Sequence, residues 1–246
     1  MVPASASQKY PLIVSLLLLS KRMFGLYTVI RYDPPIWANS LNPLPTSVVK
    51  LCNLPTPLHR FNPEMLSSQN VELWIKRDDL SSFDLSGNKV RKLEFLLADA
   101  LRQSCDCVVT IGGIQSNHAR ATAVAARQLG LEPYLVLRSP DPNSDPGLQG
   151  NLMLSRMIGS KLRLVTPSMY AKFGQKKLIN QLGLDLRKIG RNPYIIPVGG
   201  SNPLGTWGYL ECIREIGEQM NSLQIKFDHV VFACGSGKFP LFLGSC

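Results

Sequence analysis

From Val71 onward the chain alternates short apolar runs with longer stretches in which apolar residues recur every three or four positions, and few architectures accept that succession. It predicts an α/β fold with a mainly parallel sheet. Strands are expected over residues 72–76, 107–111, 133–137, 161–165, 194–198 and 228–234. Between them, Val90, Leu93, Leu97, Ala100 and Leu101 form one apolar face of a helix starting just after Lys89, and Gly130 is placed to end a helix over 117–129. In such folds each strand hands the chain to a loop at its carboxyl end, where ligand sites are built.

The chain has 246 residues, 45% hydrophobic and without a repeat, which excludes fibres, solenoids and a wholly disordered polymer. Six cysteines without a C-x-x-C pair make neither a disulfide scaffold nor a zinc ribbon. The net charge of +10 is concentrated in residues 151–200, where Asp185 is the one acid among bases that include Lys172, Lys176, Lys177 and Lys188. With no interleaved aromatics and no finger or RNP signature, these read as a solvated basic face, not a nucleic-acid surface. Upstream, the apolar run 12–19 is interrupted by Lys21 and Arg22, too short for a membrane span of ~20 residues. Residues 1–43 read as a leader or extension whose acid-poor, serine-containing composition suits an organelle transit peptide. Asp33-Pro34-Pro35 and Asn42-Pro43-Leu44-Pro45 mark a loop, and folded structure is expected from about Leu44.

Three loops have the composition of ligand sites. In Ser86-Gly87-Asn88-Lys89, the glycine permits a tight turn and Ser86 or Asn88 can cap the helix that follows. An ammonium on Lys89 would face the positive end of that helix beside Arg91 and Lys92, and desolvation there would lower its pKa from ~10.4 toward a usable neutral amine. A solvated surface lysine is the competing reading of this loop alone. Gly112-Gly113-Ile114-Gln115-Ser116-Asn117-His118 follows a strand and opens a helix, so Ser116, Asn117 and the first helical N–H groups form an anion cradle. It matches neither G-x-G-x-x-G nor G-x-S-x-G. With His59, His118 and His229 scattered, no metal cluster is visible, and capping or packing is expected of His118. Cys234-Gly235-Ser236-Gly237-Lys238 offers a phosphate-binding turn but fails the P-loop pattern at Phe232 and Phe239.

Taken in order, these loops resemble the fold type II pyridoxal phosphate enzymes, in the branch of D-cysteine desulfhydrase and aminocyclopropane-carboxylate deaminase. Leu54-Pro55-Thr56-Pro57-Leu58, Trp74-Ile75-Lys76-Arg77-Asp78-Asp79, Pro197-Val198-Gly199-Gly200-Ser201 and Thr206-Trp207-Gly208-Tyr209 extend the likeness from about Leu44 to Gly237. The resemblance implies a larger domain represented in part by 44–92 and 202–237, and a smaller parallel-sheet domain over 93–201. It implies pyridoxal 5'-phosphate as cofactor, attached to Lys89, which later moves the α-proton. Ser116 would meet the substrate carboxylate and relay protons, and Asn117 would hydrogen-bond the cofactor's phenolic oxygen. Lys92, Gly235, Ser236 and Gly237 would meet the phosphate. The implied reaction converts D-cysteine to pyruvate, hydrogen sulfide and ammonia, or opens a cyclopropane, in a homodimer; with the leader, the expected setting is the mitochondrion, with cytoplasm or plastid as alternatives. Residues 238–246 depart from the family pattern, so the chain is expected to be a C-terminally shortened form of such a lyase with its activity in question, or alternatively a non-catalytic fragment that associates with the full-length enzyme.

Overall fold

The computed structural model describes residues 27–64, 71–82, 87–141 and 143–232. Its centre is a four-stranded parallel sheet made of β5 (Cys107–Gly113), β6 (Glu132–Arg138), β7 (Lys161–Val165) and β8 (Pro193–Ile195), in the order β7-β6-β5-β8. Two short antiparallel ribbons lie outside it. One pairs β1 (Val29–Arg31) with β2 (Ser47–Val49), and the other pairs β3 (Leu58–Arg60) with β4 (Trp74–Lys76). The helices are α1 (Lys89–Arg102), α2 (Asn117–Gln128), α3 (Gly150–Met157), α4 (Pro167–Lys188) and α5 (Pro203–Leu223).

The period-two geometry of a strand sorts the β5 side chains onto two cores. Val108 joins Val90, Leu93 and Leu97 of α1 and Ala121 and Ala125 of α2. Cys107, Val109 and Ile111 face Ile179 and Leu186 of α4 on the opposite side. Helices therefore cover both faces, which is why β5 reads as an unbroken apolar run instead of alternating with polar residues. Lys172, Lys176, Lys177 and Lys188 on α4 are exposed, as a solvated basic face requires.

Four expectations change. Residues 72–76 contribute only the ribbon strand β4, paired with β3 and not with the parallel sheet. Residues 194–198 shorten to β8, since Pro197 has no N–H for a ladder and Gly199 and Gly200, at φ 65° and 59°, close a 3-10 turn over Val198–Gly200. Of 228–234, the described part through Phe232 forms no strand, and Val231 is 94% exposed. No strand among the described residues lies alongside to pair its backbone. Packed structure also reaches upstream of Leu44. Tyr32 and Ala38 are buried with Phe95, Trp207 and Leu210, and the Trp207 indole donates to the Pro43 carbonyl at 2.7 Å. Its apolar residues are separated by prolines, so no periodic signal announces them. Among the described residues no helix is long and apolar enough to cross a membrane.

Candidate functional site

The site gathers around the starts of α1 and α2. Gly87, at φ 85°, turns the chain into α1, whose first residue is Lys89. The expected cap is not made by Asn88, which has helical angles and donates its side-chain N–H to the Tyr209 hydroxyl; Ser86 lies outside the described residues. Lys89 is half-buried, and burial lowers the pKa of its ammonium. Direction and desolvation are as expected, and the neighbouring Arg91 is not among the causes. That guanidinium, 1% exposed, turns into the protein to meet Asp78 at 2.8 Å, Glu215 at 2.9 Å and Thr56 Oγ1 at 3.1 Å.

Lys92, one turn on, is 2% exposed. Its Nζ donates to the Gly199 carbonyl at 3.1 Å and to Ser201 Oγ at 3.2 Å, and stands 5.2 Å from the centroid of the Tyr209 ring. The Val198–Gly200 turn therefore docks against the head of α1. It also touches α2, because a Cβ on Gly200 would come within 3.4 Å of His118 Cε1 and 3.6 Å of Lys92 Cδ.

At the head of α2, Ser116 is the N-cap and its Oγ accepts from the Ala119 N–H at 3.1 Å, which leaves the hydroxyl proton to donate elsewhere. Gly112 makes room for it. A Cβ there would stand 2.6 Å from both Ser116 Cβ and Oγ, so the first glycine of the cradle is sterically required. Asn117 is exposed, and its Oδ1 accepts from Asn151 Nδ2 at 2.8 Å. His118 is buried, with Nε2 3.0 Å from Thr110 Oγ1, the packing role expected of it. Burial and then the charges of Lys89 and Lys92 hold its pKa down to about 3, which places both lysines within electrostatic reach of the ring.

Lys89, Lys92, Ser116 and Asn117 thus come from two helix starts joined by one glycine turn. Gly235, Ser236 and Gly237 lie outside the described residues. Sequence reasoning missed the parts played by Tyr209 and Asn151. Tyr209 was visible in a motif, but its contacts with Asn88 and Lys92 span more than a hundred residues.

The described side chains suit pyridoxal phosphate: a half-buried amine of lowered pKa, a second buried ammonium, and helix N–H groups beside a glycine that no other residue could replace. A model of the family described as pyridoxal-phosphate dependent enzyme matches residues 49–241. The mitochondrial bifunctional D-cysteine desulfhydrase/1-aminocyclopropane-1-carboxylate deaminase of Arabidopsis thaliana is 53% identical over 210 residues, covering 84% of this chain and 52% of that protein. The D-cysteine desulfhydrase of Serratia proteamaculans is 41% identical over 183 residues, covering 74% and 54%. The crystal structure of an ACC deaminase homologue superposes with a TM-score of 0.67 at 38% identity, covering 80% of this chain and 57% of that one. The chain spans about half the length of the curated relatives it matches.

Proposed function

We propose, since this chain belongs to the family of pyridoxal-phosphate dependent enzymes, that its site serves a lyase of the D-cysteine desulfhydrase type. The observation that carries this reading is the amine of Lys89, half-buried at the head of α1 and easier to deprotonate than an ordinary lysine. When bound, pyridoxal phosphate supplies an electron sink for a carbanion at the substrate α-carbon. Lys89 is the residue whose amine would hold the cofactor and would carry the substrate α-proton. Ser116, its oxygen already fixed by Ala119, uses its remaining proton toward the substrate carboxylate. Asn117 would donate to the phenolic oxygen, and Lys92 with Gly235, Ser236 and Gly237 would hold the phosphate. Buried Tyr209 keeps Asn88 in place and shields one side of Lys92 from water. In sum, D-cysteine and one water give pyruvate, hydrogen sulfide and ammonia.

A second reading, cleavage of 1-aminocyclopropane-1-carboxylate to a 2-oxo acid and ammonia, is favoured by the two activities in the name of the Arabidopsis relative. That name also supports a mitochondrial setting. A homodimer is the assembly we propose, with 93–201 as its smaller domain and 44–92 with 202–237 as the part of the larger one present here.

The purified chain given pyridoxal phosphate should turn yellow, and borohydride followed by peptide mass mapping should find the adduct on Lys89. Lys89→Ala should lose the colour and any sulfide released from D-cysteine. An adduct on another lysine, or on none, would overturn the assignment. Sulfide release against ammonia release from the cyclopropane substrate separates the two readings.

A further inference from the structure

An asparagine amide presents an oxygen at one end and an NH2 at the other, and which end faces a ligand is decided by its partners. For Asn117 the decision traces back to backbone groups whose polarity is not in question. The Gln115 carbonyl can only accept, so the end of Asn151 that lies 2.9 Å from it is Nδ2. The same Nδ2 lies 2.8 Å from Asn117, and the atom it meets there must be an acceptor, Oδ1. The other half of the clasp is fixed in the same way. The Asn151 backbone N–H donates to Gln115 Oε1 at 2.9 Å, and Gln115 Nε2 donates to the Gln149 carbonyl at 3.1 Å.

The backbone of α3 is shaped for this contact. Gly150 has φ +49°, and a Cβ on it would stand 2.4 Å from Gln115 Oε1, so any larger residue would push the clasp open. Asn151 follows directly and is half-buried, which ties the first turn of α3 to the loop that opens α2.

We propose that Asn151 is a positioning residue: by holding the amide oxygen of Asn117 on its own side it leaves the NH2 as the end turned to a ligand, the polarity an anionic phenolic oxygen requires. The identity of that acceptor rests on the function proposed above; the locked polarity of Asn117 does not. Two variants test it. Asn151→Asp keeps the shape but replaces the donor by an acceptor, and Asn151→Leu removes the donor without adding charge.

In the cofactor-free chain, the side-chain NH2 resonances of Asn117 should move in both variants while the backbone amides of β5 stay in place. In the chain loaded at Lys89, the pH midpoint of the cofactor's colour change should rise by about one unit in both, the size expected for one lost hydrogen bond to a charged oxygen. Resonances that do not move in either variant would overturn the proposal. So would a midpoint that rises only in Asn151→Asp, which would be the effect of the added charge alone. A wild-type chain that takes up no cofactor at Lys89 would sink the functional reading instead, and the NH2 resonances would still decide the polarity of Asn117.

Discussion

The hydroxyl of Thr110 has a single proton, and it donates that proton to the Ile196 carbonyl at 3.0 Å. His118 Nε2, 3.0 Å from the same oxygen, must therefore be the donor in that contact. Burial and the two nearby lysines then make a second proton on the ring costly, and the pKa stands at about 3 against 6.5 for a free imidazole. The unfolded chain binds a proton on this ring below pH 6.5 and the folded chain does not, so stability contributed here is complete above pH 6.5 and is lost as pH falls toward 3. The loss should run at about 1.4 kcal/mol per pH unit, or ~2 kcal/mol by pH 5. Urea unfolding of wild type and His118→Gln at pH 7.5 and pH 5 checks this, the difference between the two chains cancelling every other titrating group. Equal pH slopes would show that the ring is not held neutral. Packing could be read for His118 from the absence of a histidine cluster in the sequence, but the Ile196 carbonyl that orients its partner Thr110 is distant in sequence and left no local trace.

At the scale of elements, the head of α1 is fixed by α5. A Cβ on Gly208 would come within 2.4 Å of the Arg91 carbonyl carbon and oxygen and 2.7 Å of the Lys92 nitrogen, all of them backbone atoms that cannot rotate aside. The same two helices share a buried ion cluster in which Glu215 bonds Arg91, Lys76 and the Thr56 N–H. Burial alone would raise the pKa of Glu215, and the bonds from Arg91 and Lys76 hold it below the usual carboxylate range. Alanine is the better helix former by roughly 1 kcal/mol, whereas overpacking against unyielding atoms costs about 1–3 kcal/mol. Gly208→Ala should therefore be net destabilising and, by shifting the first turn of α1, should lower the yield of borohydride-trapped cofactor on Lys89. A variant as stable as wild type in urea, with undiminished trapping, would refute the close contact. The apolar spacing of Val90, Leu93 and Leu97 made α1 legible almost to its first residue, because that signal is local. The contact at Gly208 was not, and neither was the pairing of 74–76 with β3, since both depend on what lies opposite in space.

Across the whole molecule, protection should follow coverage. β5 and β6 are interior strands of the sheet, whereas β3 and β4 form an isolated two-stranded ribbon whose side chains are at best half-buried. The strand-to-loop-to-helix logic of an α/β sheet placed the cradle at the end of β5 correctly from sequence, because the apolar run of β5 and the glycines after it are adjacent in the chain. The same logic failed at 228–232, where an apolar run with no neighbouring strand among the described residues is left exposed. Local opening energies are set by buried contacts and by shielded backbone hydrogen bonds, so hydrogen exchange should be slowest in Cys107–Gly113 and Glu132–Arg138 and fast in Leu58–Arg60 and Trp74–Lys76. Adding pyridoxal phosphate stabilises only states in which the site is assembled. It should slow exchange in the first turn of α2 and in Val198–Gly200, where Lys92 and His118 converge, and leave the β3–β4 ribbon unchanged. Cofactor-induced protection confined to the ribbon, or none at the head of α2, would mean that the two helix starts do not form one binding site.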